Sequence, residues 1–189
     1  MATATAMATA TATVTATAAA TTEPTLDQRL ATCKSLVMST PTLYDWAGGQ
    51  EAFDRLTEAF YTRVRADDVL APVFAHMPED HPHHVALWFA EVFGGPRNYT
   101  EEHGGYPHMM RKHLGLALTE AQRARWVQLI GLAADDVGLP ADPEFRSAFL
   151  AYVEWGTRIA LANSQPGAEP PPEAPVPRWG WGEAPPYPG

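Results

Sequence analysis

The stretch Gly94-Gly-Pro-Arg-Asn-Tyr-Thr-Glu-Glu-His-Gly-Gly-Tyr-Pro-His-Met-Met-Arg-Lys-His113 interrupts a chain whose apolar pattern is otherwise helical. It opens on Gly94-Gly-Pro, an abrupt helix stop, because glycine leaves helical geometry cheaply and proline cannot propagate a helix. Arg97 to Lys112 is rich in glycine and polar residues and carries no apolar period. It reads as a long loop leading into at most a short helix around Met109. Long loops inside compact domains are usually functional.

Working outward, the N-terminal side holds two helices. One covers roughly Asp80 to Phe93, with Val85, Trp88, Phe89 and Val92 on its apolar face; the other follows Gly48-Gly49 and runs to about Arg65, with Phe53, Leu56, Phe60 and Val64 on one stripe and Tyr61 beside it. An irregular stretch from Asp67-Asp68 separates them. On the C-terminal side, Thr119 to Gln122 forms a capping box for a third helix that buries Trp126, Leu129, Ile130 and Ala133. Asp142 as N-cap and Pro143 at the first helical position start a fourth, which carries Phe145, Phe149, Tyr152, Val153 and Ile159 inward. No convincing strand pattern appears, so the fold class is all-α, two long helix pairs with a loop-rich connection.

The 189 residues, 46% hydrophobic and 19% charged, suffice for one domain with a real core. We place that domain at residues 41–165. Residues 1–40 are an Ala/Thr-rich extension and linker, expected to be disordered, because Ala and Thr offer too little apolar surface to offset ordering. Residues 166–189 are a Pro/Gly-rich tail, ending in Arg178-Trp-Gly-Trp-Gly and Pro185-Pro-Tyr-Pro-Gly, expected to be a flexible appendage. Thirteen basic against 22 acidic residues, net charge -9, argue against nucleic acid as a partner. Cys33, the single cysteine, excludes an intramolecular disulfide and any site built from several thiolates. No apolar run approaches the roughly 20 residues of a membrane span, and no basic group precedes Arg29. A cytoplasmic protein without membrane contact is expected.

Tyr61 and Trp126 fall on the apolar sides of two separate helices, and each carries a donor that needs a partner once buried. His113 stands just before the second helix pair. An imidazole facing a cavity shared with a phenol and an indole is a plausible axial haem site, with donors available to a ligand. Singly, each of these residues reads as well as a core side chain with a satisfied polar tip. His76, His81, His83 and His84 invite a rival reading as a zinc or nickel site, though no acidic residue is clearly placed to complete it.

Taken together, Leu43-Tyr-Asp-Trp-Ala-Gly-Gly, Phe60-Tyr61, Val69-Leu-Ala-Pro-Val-Phe74, Gly94-Gly-Pro-Arg-Asn-Tyr, Met110-Arg-Lys-His113 and Arg125-Trp126 resemble a group II truncated haemoglobin. The resemblance covers roughly Thr42 to Gln165. It implies a truncated globin, a two-over-two helical sandwich around haem b, with His113 as the proximal ligand. It further implies Tyr61 and Trp126 as distal donors, Phe74 packing on the porphyrin, and His81 and Val85 at distal helix positions. Trp88, Phe89, Tyr99, Met110 and Arg111 fall where haem-wall or propionate contacts are expected. The chain departs from the family in having Phe74 where a tyrosine is common and His81 where a small residue is common. His81 would therefore donate to the ligand, gate its entry, or bind iron itself, unless His84 takes the inward place.

Such a site implies reversible binding of dioxygen and other diatomic ligands, since bound dioxygen gains negative charge that O–H and N–H donors stabilise. The competing readings are a haem redox enzyme acting on peroxide or nitric oxide, with electrons from an unidentified reductase, and a non-haem helical interaction module. A monomer or homodimer is expected.

Overall fold

A computed structural model describes residues 40–169 and 173–182. The Ala/Thr-rich extension, Cys33 and Pro185-Pro-Tyr-Pro-Gly lie outside the described residues. Seven helices and no strand occur among the described residues: α1 Leu43–Ala47, α2 Gln50–Arg65, α3 His81–Val92, α4 Asn98–His103, α5 Gly105–His113, α6 Glu120–Asp136 and α7 Pro143–Asn163. None of the described helices is long and apolar enough to cross a membrane.

The four long helices match their sequence signals. The capping box of α6 is present, with Thr119 Oγ1 accepting from Gln122 N–H and Gln122 accepting from Thr119 N–H. Asp142 accepts from Phe145 N–H at 2.9 Å and so starts α7. Helix α2 packs on α3 and α6, α6 on α7, and α5 on α7. Their shared core is aromatic. Phe53 stacks on Phe93 at 5.7 Å, and Phe93 meets Phe149 and Tyr152 at 5.7 and 5.2 Å.

Two features of the helical order differ from the sequence reading. The first is α1, too short for a period to show, which is fixed by its own capping box between Thr42 and Asp45. The second is the stretch after Pro96: the short helix expected around Met109 is present as α5, but the loop expected before it largely forms a further helix, α4. Six and nine residues display too few apolar positions for a helical period, and tertiary contacts hold them instead. The buried carboxylate of Glu91 on α3 accepts from Thr100 N–H at 2.8 Å in the first turn of α4. That places a negative charge on the unsatisfied N–H groups of a helix start. Gly104 and Gly105, at φ +85° and +67°, turn the chain from one helix to the next.

Gly94-Gly95 does more than stop α3. Tyr44 N–H on α1 donates to Phe93 O at 3.0 Å, which brings α1 directly over the glycines. A Cβ at Gly95 would lie 2.6 Å from the Tyr44 ring and 2.8 Å from the Ala90 carbonyl oxygen. Gly95→Ala should therefore destabilise the domain by about 2–3 kcal/mol through overpacking against backbone, read as a lower urea unfolding midpoint with an unchanged slope.

Candidate functional site

A cavity of about 640 Å³ is bounded by residues of α2 to α7 and the Leu70–Pro78 segment. Its volume falls in the range of small-molecule sites, ~300–1,000 Å³. Most of the residues marked in the sequence meet in its wall: Tyr61, Phe74, His81, Val85, Trp88, Phe89, Tyr99, Met110, His113 and Trp126. Arg111 does not; it is exposed, and its neighbour Lys112 lines the cavity. The helical turn of α5 explains the exchange, since adjacent residues point about 100° apart.

His113, the last residue of α5, has its Nδ1 2.9 Å from the carbonyl oxygen of Met109. A carbonyl can only accept, so Nδ1 carries the proton and Nε2 keeps its lone pair. Burial holds the imidazole below its ordinary pKa, against an opposing contribution from that hydrogen bond, and so favours the neutral ring. Neutral imidazole with one nitrogen oriented by a backbone acceptor is the usual form of a metal-binding histidine.

Tyr61 on α2 and His81 at the start of α3 are joined by a hydrogen bond of 2.8 Å between the phenol oxygen and Nε2. His81, not His84, thus meets Tyr61. Burial pushes the Tyr61 phenol well above its ordinary pKa. Burial first, then the neighbouring His84 and His113, lower His81 to about 4. Both groups are neutral at physiological pH, so the pair can exchange donor and acceptor roles. Phe74 packs edge-on to Tyr61 at 5.5 Å and Trp126 edge-on to Phe60 at 4.6 Å. Phe74 presents an apolar edge to Tyr61, and His81 supplies its polar partner.

The remaining histidines separate. His83 pairs with Asp54 at 2.9 Å, away from the cavity. His84 lies against His103 at a ring distance of 4.1 Å with the planes tilted, and His103 lies 5.9 Å from His108. Among the described residues no group of three or more His, Cys, Asp or Glu is arranged to hold a metal ion. His103, His108, Tyr106, Met109 and Lys112 line the cavity as well. The sequence reading missed them because, without the helical register of α4 and α5, nothing marked which of their side chains face inward.

The sequence pattern of the bacterial-like globins matches residues 42–154. This chain belongs to the bacterial-like globin family. It is similar to the group 2 truncated haemoglobin YjbI of Bacillus subtilis, 31% identical over 117 residues, which cover 62% of this chain and 86% of that protein. The group 1 truncated haemoglobin GlbN of Nostoc commune is 41% identical over 81 residues, 42% of this chain and 64% of the relative. Among solved structures, the truncated oxygen-avid haemoglobin from Bacillus subtilis superposes with a TM-score of 0.57 at 27% identity, covering 64% of this chain and 99% of that one. The group II resemblance and the all-helical truncated-globin fold both hold.

Membership of the globins implies a haem cofactor, and the residues present fit one. The cavity is large enough and mostly apolar in its walls. His113 offers Nε2 as a ligand atom. The Nε2 of His103 is buried without a hydrogen-bond partner among the described residues. With His84, His108 and Lys112 beside it on the cavity wall, it makes a donor-rich region suited to the carboxylates of haem.

Arg125-Trp126 of the globin signature also acquires a physical role. Arg125 Nε donates to Asp67 Oδ2 at 2.6 Å, and Asp67 Oδ1 accepts from the N–H groups of Val69 and Leu70, both at 3.1 Å. The pair ties the segment leading to Phe74 to the turn of α6 that carries Trp126. Burial pushes the Asp67 carboxyl up, but hydrogen bonds from Arg125, Leu70 and Val69 outweigh it and hold the group below the ordinary carboxylate range. A depressed folded-state pKa contributes stability that is present above the unfolded value, about 3.9, and is lost as pH falls through the folded value. Asp67→Asn should therefore lower the urea midpoint at neutral pH, and its midpoint should fall less than that of the unsubstituted protein between about pH 5 and pH 3.

Proposed function

We propose that this chain holds haem b through His113 and reversibly binds dioxygen and other diatomic ligands beside Tyr61, His81 and Trp126. One observation carries the reading: a neutral imidazole with its Nε2 lone pair free, and a neutral phenol–imidazole pair, line the same largely apolar cavity. The similarity to a haemoglobin of Bacillus subtilis described as oxygen-avid supports it.

Haem, when bound, supplies an open coordination position at which a diatomic ligand gains electron density. The chain's residues would act on that density. If His81 Nε2–H donates to the Tyr61 oxygen, the Tyr61 O–H is released to donate to the ligand, and the two bonds reinforce each other. With the roles exchanged, the Tyr61 proton is occupied by His81 and the ligand loses that donor. Trp126 Nε1–H is a further donor with no charge to compensate. Phe74, Val85 and Phe89 keep water away, so each donor acts in a low dielectric where it is worth more than in solution. His113 is kept neutral by burial, and its bond to Met109 presents Nε2 in one orientation.

Purified protein should show an intense Soret band in the ferric, dithionite-reduced and oxygen-exposed states, and His113→Ala should lose or weaken it. A colourless protein that takes up no added haemin would overturn the haem reading. Tyr61→Phe should speed oxygen dissociation about ten- to a hundredfold, the equivalent of one hydrogen bond to a charge-bearing acceptor. His81→Leu, acting through Tyr61, should have a smaller effect in the same direction. Stopped-flow displacement of oxygen by carbon monoxide measures both.

A further inference from the structure

The proline-rich segment 173–182, expected to be a flexible appendage, is laid against the domain. Trp179 N–H donates to the Val92 carbonyl at 2.9 Å, satisfying one of the free carbonyls at the end of α3. The Trp179 ring meets Tyr152 and Trp155 of α7 at 5.7 and 5.8 Å. Val176 reaches the first residue of α5, where its Cγ2 is 3.6 Å from the position of a Cβ on Gly105. Trp181 anchors the far end, donating from Nε1 to the Pro41 carbonyl at 2.7 Å and lying edge-on to Trp46. Pro175 and Pro177 restrict the backbone beforehand, which reduces the entropy lost on ordering. Two tryptophans then supply enough apolar area to hold it. Composition cannot reveal this, because an extended segment leaves no helical or alternating period.

Two of these contacts lead into the haem cavity. Pro177 itself lines it, as does Trp155. Tyr152, against which Trp179 rests, accepts a 2.6 Å hydrogen bond from Nε1 of Trp88, another wall residue. Val176 abuts the start of the nine-residue helix that ends in His113. The segment lies beyond residues 42–154, which carry the globin match, so the contact belongs to this chain's own extension.

We infer that Val176, Pro177 and Trp179 form a positioning strap that closes the haem cavity and sets the seat of α5, so that the tail governs haem retention and the orientation of His113. The inference rests on the haem reading above. Trp179 acts through Tyr152 and Trp88, and Val176 through the N-terminus of α5. Neither is placed to touch a ligand.

The test uses the full-length haem-loaded protein and three variants, Trp179→Ala, Trp179→Phe and Val176→Ala. Haem transfer to excess apomyoglobin gives the loss rate, resonance Raman of the deoxygenated ferrous state gives the iron–histidine stretching band, and urea unfolding gives global stability. Trp179→Ala should lose haem about tenfold faster, ~1.4 kcal/mol of retention, with a displaced iron–histidine band, and Trp179→Phe should restore most of both. Val176→Ala should move the band in the same way, and it carries the test if Trp179→Ala fails to fold. Haem loss at the unsubstituted rate, or faster loss that only follows the unfolding midpoint while the band stays in place, overturns the strap. If the unsubstituted protein takes up no haemin, the strap falls together with the haem reading. Normal haem uptake with insensitive variants overturns the strap alone.

Discussion

His113 Nδ1 donates to the carbonyl of Met109 one turn earlier in α5, and the chemistry of the cavity depends on that bond. It selects the tautomer, orients the ring, and leaves Nε2 as the ligating atom. A carbonyl oxygen carries two lone pairs, so the Met109 oxygen can accept from the imidazole without disturbing the helix. That bond by itself favours the imidazolium; burial outweighs it and keeps the ring neutral. The price is that α5 must be held rigidly, although nine residues are too few to be stable alone.

The rest of the structure supplies that rigidity from outside α5. Glu91 receives the first turn of α4, the glycine pair 104–105 turns the chain, and α7 packs along α5. Gly94-Gly95 allows α1 to sit against the end of α3, and the Trp179 backbone N–H donates to the last carbonyl of that helix. The aromatic cluster of Phe53, Phe93 and Phe149 fixes the spacing of α2, α3 and α7. Rings of this size fill the core with few rotamers, so the cavity wall that these helices form has little freedom to collapse.

Much of this was legible before any coordinates. The apolar stripes of α2 and α3, the Thr119–Gln122 box and the Asp142-Pro143 start each arise from local rules that act within one or two turns, and all four helices appear where those rules place them. Tyr61, Trp126 and His113 were marked by their chemistry and by the family signature, and one cavity does collect them. Helix α4 escaped, and α5 was legible only as a short helix around Met109 without a register, because the stability of both is tertiary. With them escaped the inward places of His103, His108 and Lys112, and the outward place of Arg111.

The sequence by itself determined where long helices start and stop, which faces they bury, and which side chains can ligate or donate, because capping, periodicity and residue chemistry are local properties. Only the tertiary structure decided that His81 and not His84 meets Tyr61, since residues three apart share a helix face and the local pattern does not say which turn lies opposite the phenol. It likewise decided that the tryptophans of the tail lie on the domain, because an extended, proline-restricted segment has no period and takes its position from the surface it covers.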